Sequence, residues 1–207
     1  PFLPCKTGLI FKIERVSVYI DGANFYGGLT TINPKYTDTK FDFKKYIKKH
    51  VGKRKLIKIY YYNASLKQEI NPKIFKKQQK FFDRLRHTDK FKVILCKRQQ
   101  RTSNDGKSYY TIKGDDIHLA IDMLNDACNN DFDTAILLSG DGDFAPLVRY
   151  VRNKGKKVEN HHFANSISLD LLKECNNNTL INKKIVNKFF YREEQLTIGD
   201  VIKKKRK

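Results

Sequence analysis

The sequence predicts a three-layer α/β fold with a central, mainly parallel sheet of about five strands, on three observations. Short apolar, β-branched runs alternate with stretches of helical periodicity along most of the chain. A length of 207 residues with 40% hydrophobic and 12% aromatic content suffices for one packed domain with a sizeable core. Asp21 and Asp141 follow the ends of two expected strands, as ligand-binding groups do at the carboxyl edge of an open parallel sheet.

The expected strands are 16–20 (VSVYI), 56–62 (LIKIYYY), 91–97 (FKVILCK), 134–138 (TAILL) and 156–160 (KKVEN). Helical stretches lie between them, near 41–50, 72–87, 114–128, 143–154 and 166–174. Asn71-Pro72 and Gly114 mark helix starts, since proline is tolerated in a first turn. Asn153 to Gly155 closes the helix before the last strand. The segment 99–114 interrupts the alternation, and Asn104-Asp105-Gly106 within it is a turn signal, so a small hairpin or mobile loop is expected there. Phe75, Phe82 and Leu85 share one helical face and read as core. The chain divides into an N-terminal extension (1–13), one catalytic-sized domain (14–182) and a basic C-terminal appendage (183–207) that is partly helical at best.

Charge is distributed unevenly. The formal net charge is +20, which favours an anionic partner, nucleic acid before a membrane surface. Yet residues 104–143 hold nine Asp against two Lys, whereas 1–103 hold 25 Lys+Arg against 7 Asp+Glu. A basic body with an acidic pocket suits a protein that attracts a polyanion and holds a divalent cation against it. The acids that matter are Asp21 in VYIDGAN, Asp115 and Asp116 in KGDDIHLAIDML, and Asp141 and Asp143 in LLSGDGDF. Converging carboxylates repel one another and raise one another's pKa unless a cation lies among them. Mg²⁺ or Mn²⁺, which prefer carboxylate and water oxygens, fit that need and the hydrolysis of a phosphodiester.

Helical projection of 114–128 puts Ile117, Ala120, Ile121, Leu124 and Cys128 on one apolar face. On that reading Asp116 flanks the face near the sheet edge and ranks above Asp115, while Asp122 and Asp126 point to solvent. Gly140 and Gly142 permit a tight turn beside the phosphate. Ser139 either bonds substrate or caps the next helix, and an N-cap is the plain alternative for Asp143.

VYIDGANFY, KGDDIHLAIDML and AILLSGDGDFAPLVRYVRNKGKKV, in that order, resemble the NYN domain, the LabA-like branch of the PIN nuclease superfamily. The resemblance covers roughly residues 14–180. It implies a Rossmann-like, PIN-like parallel sheet and Mg²⁺- or Mn²⁺-dependent cleavage of RNA. Asp21 then matches the first metal-binding acid and Asn24 the asparagine of D-x-x-N. Asp116 matches the acid after K-G-x, Asp115 a doubled acid, Asp141 and Asp143 the acids of S-G-D-x-D, and Asp122 a further recurrent Asp. Asn176 stands where many relatives carry a late Asp. The implied site has Asp21, Asp116, Asp141 and Asp143 catalytic and metal-binding, Asp115 an additional metal ligand, and Asn24, Ser139 and Lys113 contacting substrate. RNA, single-stranded or structured, is the expected partner, with single-stranded DNA as a further candidate and a homodimer left open.

The alternative is a non-catalytic RNA-binding module, because 44–58 and 73–87 interleave Lys and Arg with aromatics. An aspartyl-phosphate phosphatase is disfavoured, since Ala23 stands where its general acid would be. Cys5, Cys96, Cys128 and Cys175 form no C-x-x-C pair, which argues for free thiols in a reducing, cytoplasmic setting without structural zinc. His161 and His162 lack partners at ligand spacing. No run approaches the ~20 apolar residues of a membrane span. PFLPCKTGLIFK is too short and polar for a signal peptide, although the numbered chain lacks an initiator Met. The KKKRK end reads either as a nuclear address or as a phosphate-seeking arm.

Overall fold

The computed structural model describes residues 12–191 apart from 104 and 107, so Cys5, most of the N-terminal extension, Asn104 and the KKKRK end lie outside the described residues. In chain order the elements are β1 (Arg15–Asp21), α1 (Gly22–Ile32), α2 (Phe43–Val51), β2 (Lys55–Ala64), α3 (Pro72–Arg86), β3 (Phe91–Thr102) and β4 (Ser108–Lys113). They continue with α4 (Asp115–Cys128), β5 (Thr134–Leu138), α5 (Ala145–Asn153), β6 (Lys157–His162), α6 (Leu169–Glu174), β7 (Asn177–Leu180) and α7 (Lys183–Phe189). Among the described residues the strands form one seven-stranded sheet in the order β4-β3-β2-β1-β5-β6-β7. Every neighbouring pair is parallel except β3 with β4.

The chain starts in the middle of the sheet, builds outward through β2, β3 and β4, then crosses to β5 and builds outward the other way. The order therefore reverses between β1 and β5, the place where an open α/β sheet forms its ligand crevice. Strand alternation divides the core in two. Val16, Val18, Ile20, Ile59 and Tyr61 pack against α1, α2, α3 and α7, with Phe25, Phe41, Phe43, Phe81 and Phe82. Tyr19, Tyr60, Tyr62, Ala135 and Leu137 face α4, α5 and α6, with Leu119, Met123, Val148 and Leu171.

Local chemistry sets the helix starts. Asn71 caps α3 by accepting from the Ile74 amide at 3.0 Å, with Pro72 in the first turn. Asp42 caps α2 through the Lys45 amide at 2.9 Å. Gly114 enters α4 at φ 84°, a left-handed conformation that favours glycine. On α3, Phe82 and Leu85 are buried as expected and Phe75 is half-buried.

Three elements were not expected as such, and a fourth, the hairpin, is longer than the small hairpin or mobile loop expected there. GANFYGGLTTI forms α1 despite two glycines and two threonines in its second half. Segment 97–113 is an antiparallel hairpin of six pairs, Lys97 opposite Lys113 through Thr102 opposite Ser108. The polar NNTL forms edge strand β7, held to β6. The expected appendage begins with α7, whose Val186 and Phe189 are buried in the core. The Phe189 carbonyl accepts from the Asp42 amide at 2.7 Å, and the Tyr191 amide donates to Lys40 at 2.9 Å, so the packed domain runs past 182 to at least 191. Among the described residues no helix is long and apolar enough to cross a membrane, and Cys96, Cys128 and Cys175 are free thiols.

Candidate metal centre

Asp21 ends β1 and is 5% exposed. Its Oδ1 accepts from the Asn24 amide at 3.0 Å, capping α1. Its Oδ2 accepts from the Ser139 hydroxyl at 2.9 Å, which ties it to the loop after β5. Gly22 is needed here: a Cβ on it would lie 2.5 Å from the Tyr62 carbonyl oxygen, backbone that cannot move aside. The close seat of α1 on β2 thus fixes where the Asp21 carboxyl points.

The Ser139–Asp143 loop is held by the same residues. Asn24 Oδ1 accepts from the Gly140 amide at 3.0 Å. The Ser139 hydroxyl accepts from the Asp141 amide at 3.1 Å, and Asp141 Oδ1 accepts from the Asp143 amide at 3.0 Å. Asn24 and Ser139, expected to touch substrate, therefore spend their side-chain oxygens on building the site. Asp141 caps the short 3₁₀ turn Gly142–Phe144, while Asp143 is exposed inside it. A Cβ on Gly140 would sit 2.0 Å from the Ser166 carbonyl oxygen, so the loop after β6 packs directly against this turn. Behind it lies a support that sequence reading missed. Fully buried Asn160 donates to the Ser139 carbonyl at 2.7 Å, and its Oδ1 lies 2.9 Å from His162 Nδ1. The expected strand KKVEN is already polar, so an asparagine in it gave no signal of this role. Asn176, at the position of the late acid, accepts from the Val158 amide at 2.8 Å, a structural contact.

α4 delivers the other acids, on a face different from the one projected. Its buried residues are Asp115, Leu119, Met123, Asp126 and Ala127, whereas Ile117 and Ile121 are 65% and 59% exposed. Polar docking overrides the apolar count. Asp126, 3% exposed, accepts from Tyr19 Oη at 2.8 Å, Lys58 Nζ at 3.0 Å and Tyr60 Oη at 3.4 Å. Asp122 accepts from Tyr62 Oη at 3.0 Å. Neither faces solvent as the projection had it. Asp115 is buried at the first turn and Asp116 is exposed towards the acidic edge. Both raise the Cys96 thiol electrostatically, which places the α4 start beside the end of β3, although burial is the larger cause of that thiol's shift to about 11.

Electrostatics join the acids into one field. Burial pushes the Asp21 carboxyl up to about 7, against its two hydrogen bonds and with help from Asp116 and Asp115. Asp116 is pushed up to about 6, first by partial desolvation of its carboxyl and then by Asp115, Asp141 and Asp143. Among the described residues no cationic side chain is a leading influence on either carboxyl. Lys113 ends β4 two residues before Asp115 and is exposed. Buried His161 pairs with Tyr46 Oη at 2.8 Å, and its ring is held neutral, down to about 3, mainly by burial.

The donor set fits a hard divalent ion: several carboxylate oxygens, strained by mutual repulsion, at one sheet edge. Among the described residues, however, no three acids or histidines stand at ligating spacing.

A search of proteins of curated description gave no match. Among solved structures, the chain is similar to a protein of unknown function, VPA0982, from Vibrio parahaemolyticus RIMD 2210633. The TM-score is 0.64 and the identity 25%, over 86% of this chain and 97% of that one. The family model described as the NYN domain matches residues 15–182. That span runs from β1 through β7 and contains every acid of the site, so this chain belongs to the NYN domain family, with its PIN-like fold.

Proposed function

We propose that the protein is a metal-dependent endoribonuclease that hydrolyses RNA phosphodiester bonds at the acidic edge between β1 and β5. NYN domains are in general nucleases, and the observation that carries the reading here is the uncompensated acid set. Asp21 and Asp116 have carboxyls raised to about 7 and 6, next to Asp115, Asp141 and Asp143, in a chain of net charge +20. Bringing several carboxylates to one sheet edge without a cation costs stability, and such sites are where function resides. Asp21, Asp116, Asp141 and Asp143 would hold Mg²⁺ or Mn²⁺, with Asp115 behind them. A divalent ion there supplies the positive charge that offsets charge building up on the phosphate during hydrolysis. Ser139 and the α1 amide keep Asp21 aimed, and Asn24 keeps the β5 loop beside it. One of the exposed carboxylates orients the attacking water, and Lys113 meets a flanking phosphate.

A second reading, an RNA-binding module without catalysis, is favoured by one observation: no three described acids stand at ligating spacing. One assay separates the two. Single-stranded RNA and single-stranded DNA are incubated with the protein, with Mn²⁺ or EDTA, beside Asp21→Asn. The nuclease reading expects Mn²⁺-dependent RNA cleavage that falls by at least a hundredfold in Asp21→Asn while RNA binding persists. Equal cleavage by Asp21→Asn overturns it, and binding without any cleavage selects the second reading.

A further inference from the structure

The β3–β4 hairpin leaves the body of the sheet. β3 pairs with β2 only as far as Cys96, opposite Ala64 at the end of β2. From Lys97 to Thr102 its partner is β4. Six residues at ~3.3 Å each carry the hairpin about 20 Å past the edge on which the acids stand. Its root is chemically part of that edge, because β4 ends at Lys113 and the left-handed Gly114 turns the chain directly into Asp115 and Asp116.

The charge on this arm is arranged unusually. Lys97 and Lys113 are directly opposite each other, and alternation puts Arg101 on the same face as Lys97. Like charges directly opposite across a ladder destabilise it. Here they stand exposed, and neither they nor Arg101 has an ion-pair partner among the described residues. The hairpin's acid, Asp105, sits in the turn beyond the ladder and accepts from the Ser103 hydroxyl. The same alternation sets the three cations on the side of the sheet where Val93 packs with the α3 layer. α3 packs along β3 and exposes Lys73, Lys76 and Lys77 near its start, at this same end of the sheet. A cationic track thus runs outward from a pocket of carboxylates, and Lys97 and Arg101 are ~13 Å apart along it. One phosphate cannot bridge that distance, but a polymer of phosphates can.

We propose that the β3–β4 hairpin is an arm that grips the backbone of a nucleic-acid strand running out of the acidic site. The substrate is then an oligonucleotide or longer, bound beyond the cleaved bond by phosphate contacts at Lys97 and Arg101. This rests on the nuclease reading for the site it serves, while its own evidence is the charge and shape of the arm.

The test is binding of a fluorescein-labelled 12-nucleotide single-stranded RNA in EDTA, where cleavage plays no part, over a series of salt concentrations. The slope of log affinity against log salt counts released counterions, at about 0.7 per phosphate contact on a single strand. Lys97→Gln/Arg101→Gln should flatten that slope by about 1.4 and weaken binding at low salt by tenfold or more. Lys97→Arg/Arg101→Lys should keep the wild-type slope. Lys53→Gln/Lys157→Gln removes two exposed lysines at the opposite edge of the sheet and should change the slope little. Equal flattening by both glutamine pairs, or none by the hairpin pair, overturns the arm. With Mn²⁺, the hairpin pair should lose at least tenfold more kcat/KM on the 12-mer than on a dinucleotide. If neither substrate is cut by the wild type, the nuclease reading fails while the salt slopes still decide the arm.

Discussion

Asp21 is the residue at which fold and chemistry oppose each other most directly. An aspartate titrates near 3.9 in an unfolded chain and here at about 7 in the folded one, because burial outweighs two hydrogen bonds. The folded state therefore holds the proton more tightly. The stabilisation from that proton is complete below pH ~4 and lost as pH rises through about 7, a change on the order of 4 kcal/mol if fully realised. Asp116, pushed up to about 6, acts in the same direction. In EDTA, the melting temperature of the wild type should fall between pH 5 and pH 8 relative to that of Asp21→Asn, which carries no such proton. Mn²⁺ should raise the wild-type value more at pH 8 than at pH 5. Parallel melting curves for the two proteins across that range would sink the account. The identity of the acids was legible in the sequence because aspartates at strand ends stand out in a basic chain. The supports were not legible. Asn160, with His162 beside it on the same strand, acts through a buried hydrogen bond to the Ser139 carbonyl in another segment, and nothing in the local sequence announces that partner.

At the scale of elements, α4 shows how polar contacts can decide a helix face. Ile117 and Ile121 have the spacing of a core stripe, yet they are exposed, and the helix lies on Tyr19, Tyr60 and Tyr62 through its aspartates. Three tyrosines on neighbouring strands stack with ring centroids 5.3 and 6.1 Å apart and present their hydroxyls to α4 together. Removing Asp126 would leave two tyrosine hydroxyls and Lys58 without that acceptor. Asp126→Ala should cost on the order of 3 kcal/mol. In urea it should appear as a lower midpoint with an unchanged m-value. A loss below about 0.5 kcal/mol would mean that packing of Leu119 and Met123 holds the helix without it. Strands β1, β2, β3 and β5 were readable because parallel strands buried on both faces are largely apolar runs. β7 and α1 were not. A polar four-residue edge strand has no hydrophobic signature, and α1 needs glycine where Gly28 lies against Phe163, a tertiary demand that reads locally as a loop. The packing of α7 on the domain was not legible for a related reason, since Val186 and Phe189, with Ile185 against them, come from an otherwise basic segment.

Across the whole molecule, the charge pattern makes a prediction that neither the fold nor the family supplies. On the proposed nuclease reading the basic body would attract a polyanion, while the edge that would receive the scissile phosphate is lined with carboxylates. Two unit charges ~10 Å apart at an effective dielectric of ~20 repel by about 1.7 kcal/mol before screening, so the acidic edge should weaken nucleic-acid binding whenever it is not neutralised. Simple screening by added cations predicts the opposite trend, a uniform loss of affinity. The two are separable at constant ionic strength. For the wild type, replacing EDTA and monovalent salt by Ca²⁺, a hard oxygen-seeking ion, should tighten binding of an intact 12-nucleotide RNA by roughly three- to tenfold, about 1 kcal/mol. The variant Asp21→Asn/Asp116→Asn should bind more tightly than the wild type in EDTA and respond little to Ca²⁺. If Ca²⁺ weakens both proteins equally, the carboxylates do not face the bound strand, and the acidic edge would have to serve something other than a phosphate backbone.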